Sequence, residues 1–352
     1  MIKERLPIVL CAILCLLAGI WSGLNRIGWD LPVSLMTAHH GAIMVGGFLG
    51  TLISLEKIIP LKKKPLYAIP ILSALSVFFF LSGHPVRAMY VLVGSSIALS
   101  LVFAYYFRVQ RTIIYVLMLL GSLSWLVGNI LVLTKSFYPL AFPWWTAFAL
   151  FIIAAERLEL MAFLPVSKFA KRVFISLLPV YIAGAVFSFH GTGSVICGTV
   201  LIAAAVWLMR NDVIAINLKK TGLPRFVAIA LLAGYIALLF SGIVFVIPSD
   251  HWLNYDAIVH SFFLGFVFSM IFAHGPMILP GVMGISASPY HAMLYFWLGL
   301  LQASWLLRVF ADFDTELELR KMTGLLNAAA ILGYFMTMGV LMIRSRSNVR
   351  LH

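Results

Sequence analysis

Residues 226–247 read FVAIALLAGYIALLFSGIVFVI, twenty-two positions without a single charge. A helix needs about 20 apolar residues to cross the hydrocarbon core of a bilayer. This run meets that requirement alone. Strict apolar/polar alternation, the mark of a membrane β-barrel strand, is absent from it. Backbone in hydrocarbon must satisfy its own hydrogen bonds, and a continuous apolar run does so as a helix.

Working outward, the same kind of run recurs along the whole chain. The expected spans are 6–28, 33–56, 66–83, 87–107, 112–134, 140–165, 173–189, 192–209, 226–247, 256–279, 290–311 and 322–343. The fold expected is therefore all-α: one polytopic transmembrane domain, 1–352, of about twelve helices. Composition agrees. The 352 residues are 62% hydrophobic and 11% charged, with a mean hydropathy of +1.04. A soluble chain carries roughly a quarter of its residues charged. The loops are short, so chemistry has to reside in the bundle or at its faces. No Gly-rich phosphate loop, nucleotide motif or hydrolase-type Ser/His/Asp set is present.

The net charge of +13 is not a nucleic-acid footprint, because the cations fall in alternate loops. Those at 3–5, 57–64, 108–111, 168–172, 210–225 and 344–350 far outnumber Arg26, Arg87, Lys135, Arg320 and Lys321 on the other side. The positive-inside rule then puts both termini in the cytoplasm. Asp250, Asp256, Asp312, Asp314, Glu316 and Glu318 fall on the opposite side. The first apolar run follows Met1-Ile2-Lys3-Glu4-Arg5 as a signal peptide would. No small-x-small cleavage site ends it, so it is read as a helix. Cys11, Cys15 and Cys197 lie within apolar spans and read as small core residues, with no disulfide framework or zinc CxxC site. Trp29, Trp144, Trp145 and Trp252 fit an interfacial aromatic belt.

Ionisable groups in hydrocarbon are costly, and each is a functional hypothesis. His39 and His40 lie early in the second span, and His260 lies early in the tenth, which runs in the same direction. At 1.5 Å per residue, His40 is roughly 10 Å and His260 roughly 6 Å below the outer boundary. Two neutral imidazoles at similar depth on parallel helices suit the two axial positions of one haem iron. The plain alternative is that they only hydrogen-bond neighbouring helices. A faint echo joins the two segments, His40-Gly41-Ala42-Ile43-Met44-Val45-Gly46-Gly47-Phe48 and His260-Ser261-Phe262-Phe263-Leu264-Gly265-Phe266. Arg308, in the eleventh span, either pairs with a haem propionate or snorkels to headgroups. Glu156, Arg157 and Glu159 in the sixth span, with His274 and His291, form a candidate proton path or second metal site. Their plain alternative is a structural polar network. His84, His190 and His251 fall in loops or span ends and read as solvated.

These residues carry a resemblance. Ala38-His39-His40-Gly41 with Gly47-Phe48-Leu49, Ala155-Glu156-Arg157-Leu158 with Phe163-Leu164-Pro165, Gly234-Tyr235, His260 with Gly265, Met270 and Gly281, and Leu307-Arg308-Val309 resemble the NnrS family of membrane haem proteins. That family is itself distantly like subunit I of haem–copper oxidases. The resemblance covers most of the chain through its twelve-span layout. It implies a haem b protein whose ligands come from the second and tenth spans, matched here by His40 (with His39 as a competitor) and His260. It departs from the oxidases where their copper ligands would stand. The sixth span holds Glu156 and Glu159 and the seventh lacks a His-His pair, so copper is not expected.

The function expected is electron transfer, or handling of nitric oxide and other nitrogen oxides, in the bacterial inner membrane. Partners would be the lipid bilayer and other respiratory or nitrogen-oxide membrane components, with no nucleic acid. The rival is a haem-free transporter or proton pathway working through the Glu156, Arg157, Glu159, His274 and His291 cluster. A third reading is an accessory subunit without chemistry of its own.

Overall fold

A computed structural model describes residues 2–187, 191–247, 251–285 and 289–349, with the side chains of residues 2–4 and 346–349 outside the description. His190, Asp250 and Arg350, and the side chains of Lys3 and Arg346, therefore lie outside the described residues. Among the described residues there is helix and no strand.

The long helices are α1 (Ile2–Arg26), α2 (Ser34–Leu61), α3 (Lys64–Leu81), α4 (Pro85–Val109), α5 (Ile113–Lys135), α6 (Tyr138–Leu160), α7 (Lys168–Val186), α8 (Thr192–Asn211), α9 (Leu223–Val246), α10 (Asn254–Met283), α11 (Met293–Asp314) and α12 (Leu317–Val349). Among the described residues, eleven helices are long and apolar enough to cross a membrane. The sixth expected span coincides with α6, a further helix of 23 residues with Pro143 inside it. The chain is thus a polytopic, membrane-spanning helical protein.

The helix ends follow from local chemistry. Ser167 caps α7 by accepting from the Ala170 N–H at 3.1 Å, satisfying one orphan donor of the first turn. Pro85 and Pro224 stand in the first turns of α4 and α9, where a missing N–H costs nothing.

Contacts divide the chain into two compact units, Met1–Ala155 with Val282–Gly284, and Glu156–Gly281 with Ile285–His352. In the first, Phe80, Leu92, Leu99, Phe103, Trp125, Phe148 and Phe151 form a core with no exposed surface, and Trp125 stacks on Phe148 at 5.0 Å. Trp145, expected in an interfacial belt, faces the interior of its unit. It is buried, and its indole N–H donates to Asn129 Oδ1 at 3.1 Å. Tryptophan carries a polar handle, and a buried indole takes a partner where one exists.

In the second unit α8 and α9 pack backbone against backbone. A Cβ built on Gly198 would lie 2.6 Å from the Gly242 carbonyl oxygen, and one on Gly242 would lie 2.7 Å from the Gly198 carbonyl oxygen. Helices meet this closely in membranes where small residues line the seam. Across the same unit Tyr334 stacks on Phe272 at 3.8 Å and donates to the Phe272 carbonyl at 2.8 Å.

Two helices are not regular. α2 winds as a π-helix over Ile43–Gly50, and α10 does so over Ser261–Val267. A π-turn inserts one extra residue and loosens carbonyls from the usual ladder. Hydroxyls occupy those carbonyls. Ser73 donates to Gly46 O at 2.8 Å, Thr51 to Gly47 O at 2.5 Å and Ser269 to Gly265 O at 2.5 Å.

Candidate functional site

The histidines singled out in α2 and α10 each stand at the head of a π-helical stretch. His40 opens the short helical turn His40–Ala42 before Ile43–Gly50, and His260 immediately precedes Ser261–Val267. Each lies in its own unit and is described there.

In the first unit, His40 Nδ1 sits 2.8 Å from the Gly19 carbonyl oxygen of α1, and 3.4 Å from Ser22 Oγ, whose own proton goes to the same carbonyl at 2.9 Å. A carbonyl only accepts, so Nδ1 carries the proton and Nε2 is the basic nitrogen. Gly23 makes room for the ring, since a Cβ there would lie 2.8 Å from His40 Cε1. His39 differs. Its Nδ1 is 2.8 Å from Tyr138 Oη, which donates or accepts equally well, and its ring stacks on Phe80 at 5.0 Å. Only His40 of the adjacent pair has its tautomer fixed.

In the second unit, His260 Nδ1 is 2.8 Å from the Asp256 carbonyl oxygen and 3.2 Å from Asp256 Oδ2. Both are acceptors, so Nε2 is again the basic nitrogen. Asp256 and His260 are four apart on one helix face. Asp256 Oδ2 also receives Arg308 Nη2 at 2.8 Å and Arg320 Nη2 at 3.0 Å, while Arg320 Nε donates to Asp312 Oδ1 at 2.7 Å. Asp256, Arg308, Asp312 and Arg320 are all buried. The sequence reading of Asp256, Asp312 and Arg320 as loop charges misses this. They close a neutral group of two carboxylates and two guanidiniums at the ends of α10, α11 and α12. Arg308 Nε and Asp312 Oδ2 are buried there with no hydrogen-bond partner.

A second buried network lies in the same unit. Arg157, at the last turn of α6, forks onto Asp212 with Nε at 2.8 Å from Oδ2 and Nη2 at 2.7 Å from Oδ1. Tyr235 donates to Asp212 Oδ2, and the Val213 N–H donates to Oδ1 at 2.6 Å. Arg157 Nη1 lies 2.9 Å from His274 Nε2, and His274 Nδ1 lies 2.7 Å from the Met270 carbonyl oxygen. Guanidinium only donates, so His274 Nε2 accepts, Nδ1 donates and the ring is neutral. Glu156 stands near enough to act electrostatically on Arg157 and His274.

Of the five residues expected in this cluster, the structure joins Arg157 and His274 directly, with Glu156 beside them. Glu159 and His291 are exposed, and His291 Nδ1 accepts from the Met293 N–H at 3.1 Å. Asp212 was not anticipated, because it follows Arg210-Asn211 at a span end and reads as a loop charge. Among the described residues, no group of three His, Cys, Asp or Glu side chains is placed to hold a metal ion.

The comparisons with known proteins give a family. One described as Domain of unknown function (DUF8744) matches residues 5–343. The chain belongs to that family. No curated protein and no solved structure matches it. The match takes in His40, Arg157, Asp212, His260, His274 and Arg308, so every cluster above lies inside the family's own segment.

Proposed function

We propose that this protein is a membrane haem b protein of the bacterial inner membrane, in which His40 and His260 would hold the haem and both termini are in the cytoplasm. The observation that carries the proposal is the shared state of those two imidazoles. Each donates Nδ1–H to a main-chain carbonyl at the head of a π-helical stretch. Ligating histidines are oriented by such a bond from their other nitrogen, and π-turns recur at functional sites. The orphaned, buried Nε of Arg308 beside the His260 cluster fits a carboxylate such as a haem propionate. The residues present thus fit the group.

Bound haem b would supply one-electron exchange or the binding of a diatomic gas. Electron transfer or the handling of nitric oxide and other nitrogen oxides is the role this supports. The chain's own contribution is to hold each of the two basic nitrogens in one tautomer. Respiratory or nitrogen-oxide membrane components would be its partners.

The rival role, a haem-free proton or solute pathway, would draw on the Arg157 network. That network is closed: every nitrogen of His274 is engaged, and a proton enters only by displacing Arg157. It therefore supports a structural part better than a conducting one.

The test is the absorption spectrum of the purified protein and its pyridine haemochrome. We expect a haem b signal that is lost in His40→Ala and in His260→Ala while His39→Ala retains it, all three eluting as monodisperse protein. Wild-type protein from haem-replete cells that carries no haem overturns the proposal. Undiminished haem in both alanine variants overturns the ligand assignment.

A further inference from the structure

We propose that a cavity at the start of α9 binds the phosphate of an anionic phospholipid headgroup. This site is separate from the histidine clusters and does not depend on the haem reading. The cavity measures about 300 Å³ and is lined by Thr221, Gly222, Arg225, Ile229, Tyr290 and Tyr295. That size is at the small end of ligand pockets.

Its lining has one sign of charge. Arg225 is the charged group, and among the described residues no acidic side chain lines the space. Arg225 is exposed and makes no ion pair among the described residues. It stands close enough to Tyr295 to act on it electrostatically, and Tyr290 and Tyr295 line the space together with it. The donors are thus a planar guanidinium fork, the Thr221 hydroxyl and a tyrosine pair. Such a set matches an oxyanion with several acceptor oxygens.

Position selects the phosphate. The cavity lies at the first residues of α9, the span of highest hydropathy at 2.5, and so at a membrane–water boundary. Lys219 and Lys220, both exposed, immediately precede it. Basic pockets at span ends take acidic lipid headgroups, and tyrosine favours the headgroup level. Ile229, one turn further along α9, gives the cavity an apolar side on which an acyl chain can lie.

The experiment uses delipidated full-length protein in detergent. Its thermal midpoint is titrated with short-chain phosphatidylglycerol, short-chain phosphatidylcholine or inorganic phosphate. Wild type, Arg225→Gln, Tyr295→Phe and the control Arg172→Gln are compared. We expect phosphatidylglycerol to stabilise wild type and Arg172→Gln alike. Half-saturation should move to about fivefold higher lipid in Arg225→Gln and by a smaller factor in Tyr295→Phe. Phosphatidylcholine should give no Arg225-dependent shift. Equal phosphatidylglycerol titrations in wild type and Arg225→Gln overturn the site. An Arg225-dependent shift with inorganic phosphate, and none with phosphatidylglycerol, overturns the lipid as its source.

Discussion

Asp212 accepts from Arg157 twice, from Tyr235 and from the Val213 N–H, and its side chain has no exposed surface. Removing one partner of a buried ion pair leaves the other charge without compensation, at a cost of about 3–5 kcal/mol. Asp212→Ala should therefore lower stability by that order in a detergent unfolding titration. Glu159→Gln, two residues along α6 from Arg157 but exposed, should change it by less than about 0.5 kcal/mol. The contrast also marks what the sequence reveals at this scale. Arg157 and His274 are visible as polar residues inside apolar runs. Asp212 is not, because a carboxylate just past a span end reads the same whether it faces water or turns back into the bundle. Asp256 offers a usable signal in its four-residue spacing to His260. Asp312 and Arg320 offer none, since two oppositely charged residues flanking a tight turn usually meet solvent.

At the α8–α9 seam a Cβ on Gly198 or Gly242 would meet the other glycine's carbonyl oxygen, with Phe245 and Val246 or Ile202 equally close. Side chains can shift but the facing carbonyl cannot do so without moving a helix, and overpacking costs about 1–3 kcal/mol. We expect Gly198→Ala and Gly242→Ala each to lower the thermal midpoint. Gly339→Ala in α12, where a Cβ meets nothing within 4 Å, should leave it unchanged or raise it slightly. The helices were legible from hydropathy because length and composition alone decide them in lipid. Their π-helical stretches were not. One extra residue in a turn shifts the register of a helix that is apolar on every side, and no pattern of polar positions records the shift. Only the faint echo of histidine, small residues and phenylalanine linked the two segments, and in the structure both are π-helical.

Among the described residues, each of the twelve expected spans overlaps a long helix, and eleven of those helices are long and apolar enough to cross a membrane. Their grouping into two compact units, dividing within α6 and again near the end of α10, was not anticipated. The proposed orientation is testable by labelling single cysteines, introduced after Cys11, Cys15 and Cys197 are replaced by serine. Lys219→Cys should react with a membrane-impermeant maleimide only in inverted vesicles, and Glu316→Cys only in intact spheroplasts. The reverse pattern would turn the molecule over. Both buried ionic groups of the second unit carry equal numbers of cations and anions: Arg157 against Asp212, and Arg308 with Arg320 against Asp256 with Asp312. An electric field across a bilayer works on unbalanced charge at about 2.3 kcal/mol per charge per 100 mV. Paired opposite charges feel almost none of it, so a membrane potential exerts little net force on these ion pairs, and neutralising Asp212 alone would expose the Arg157 charge to that force.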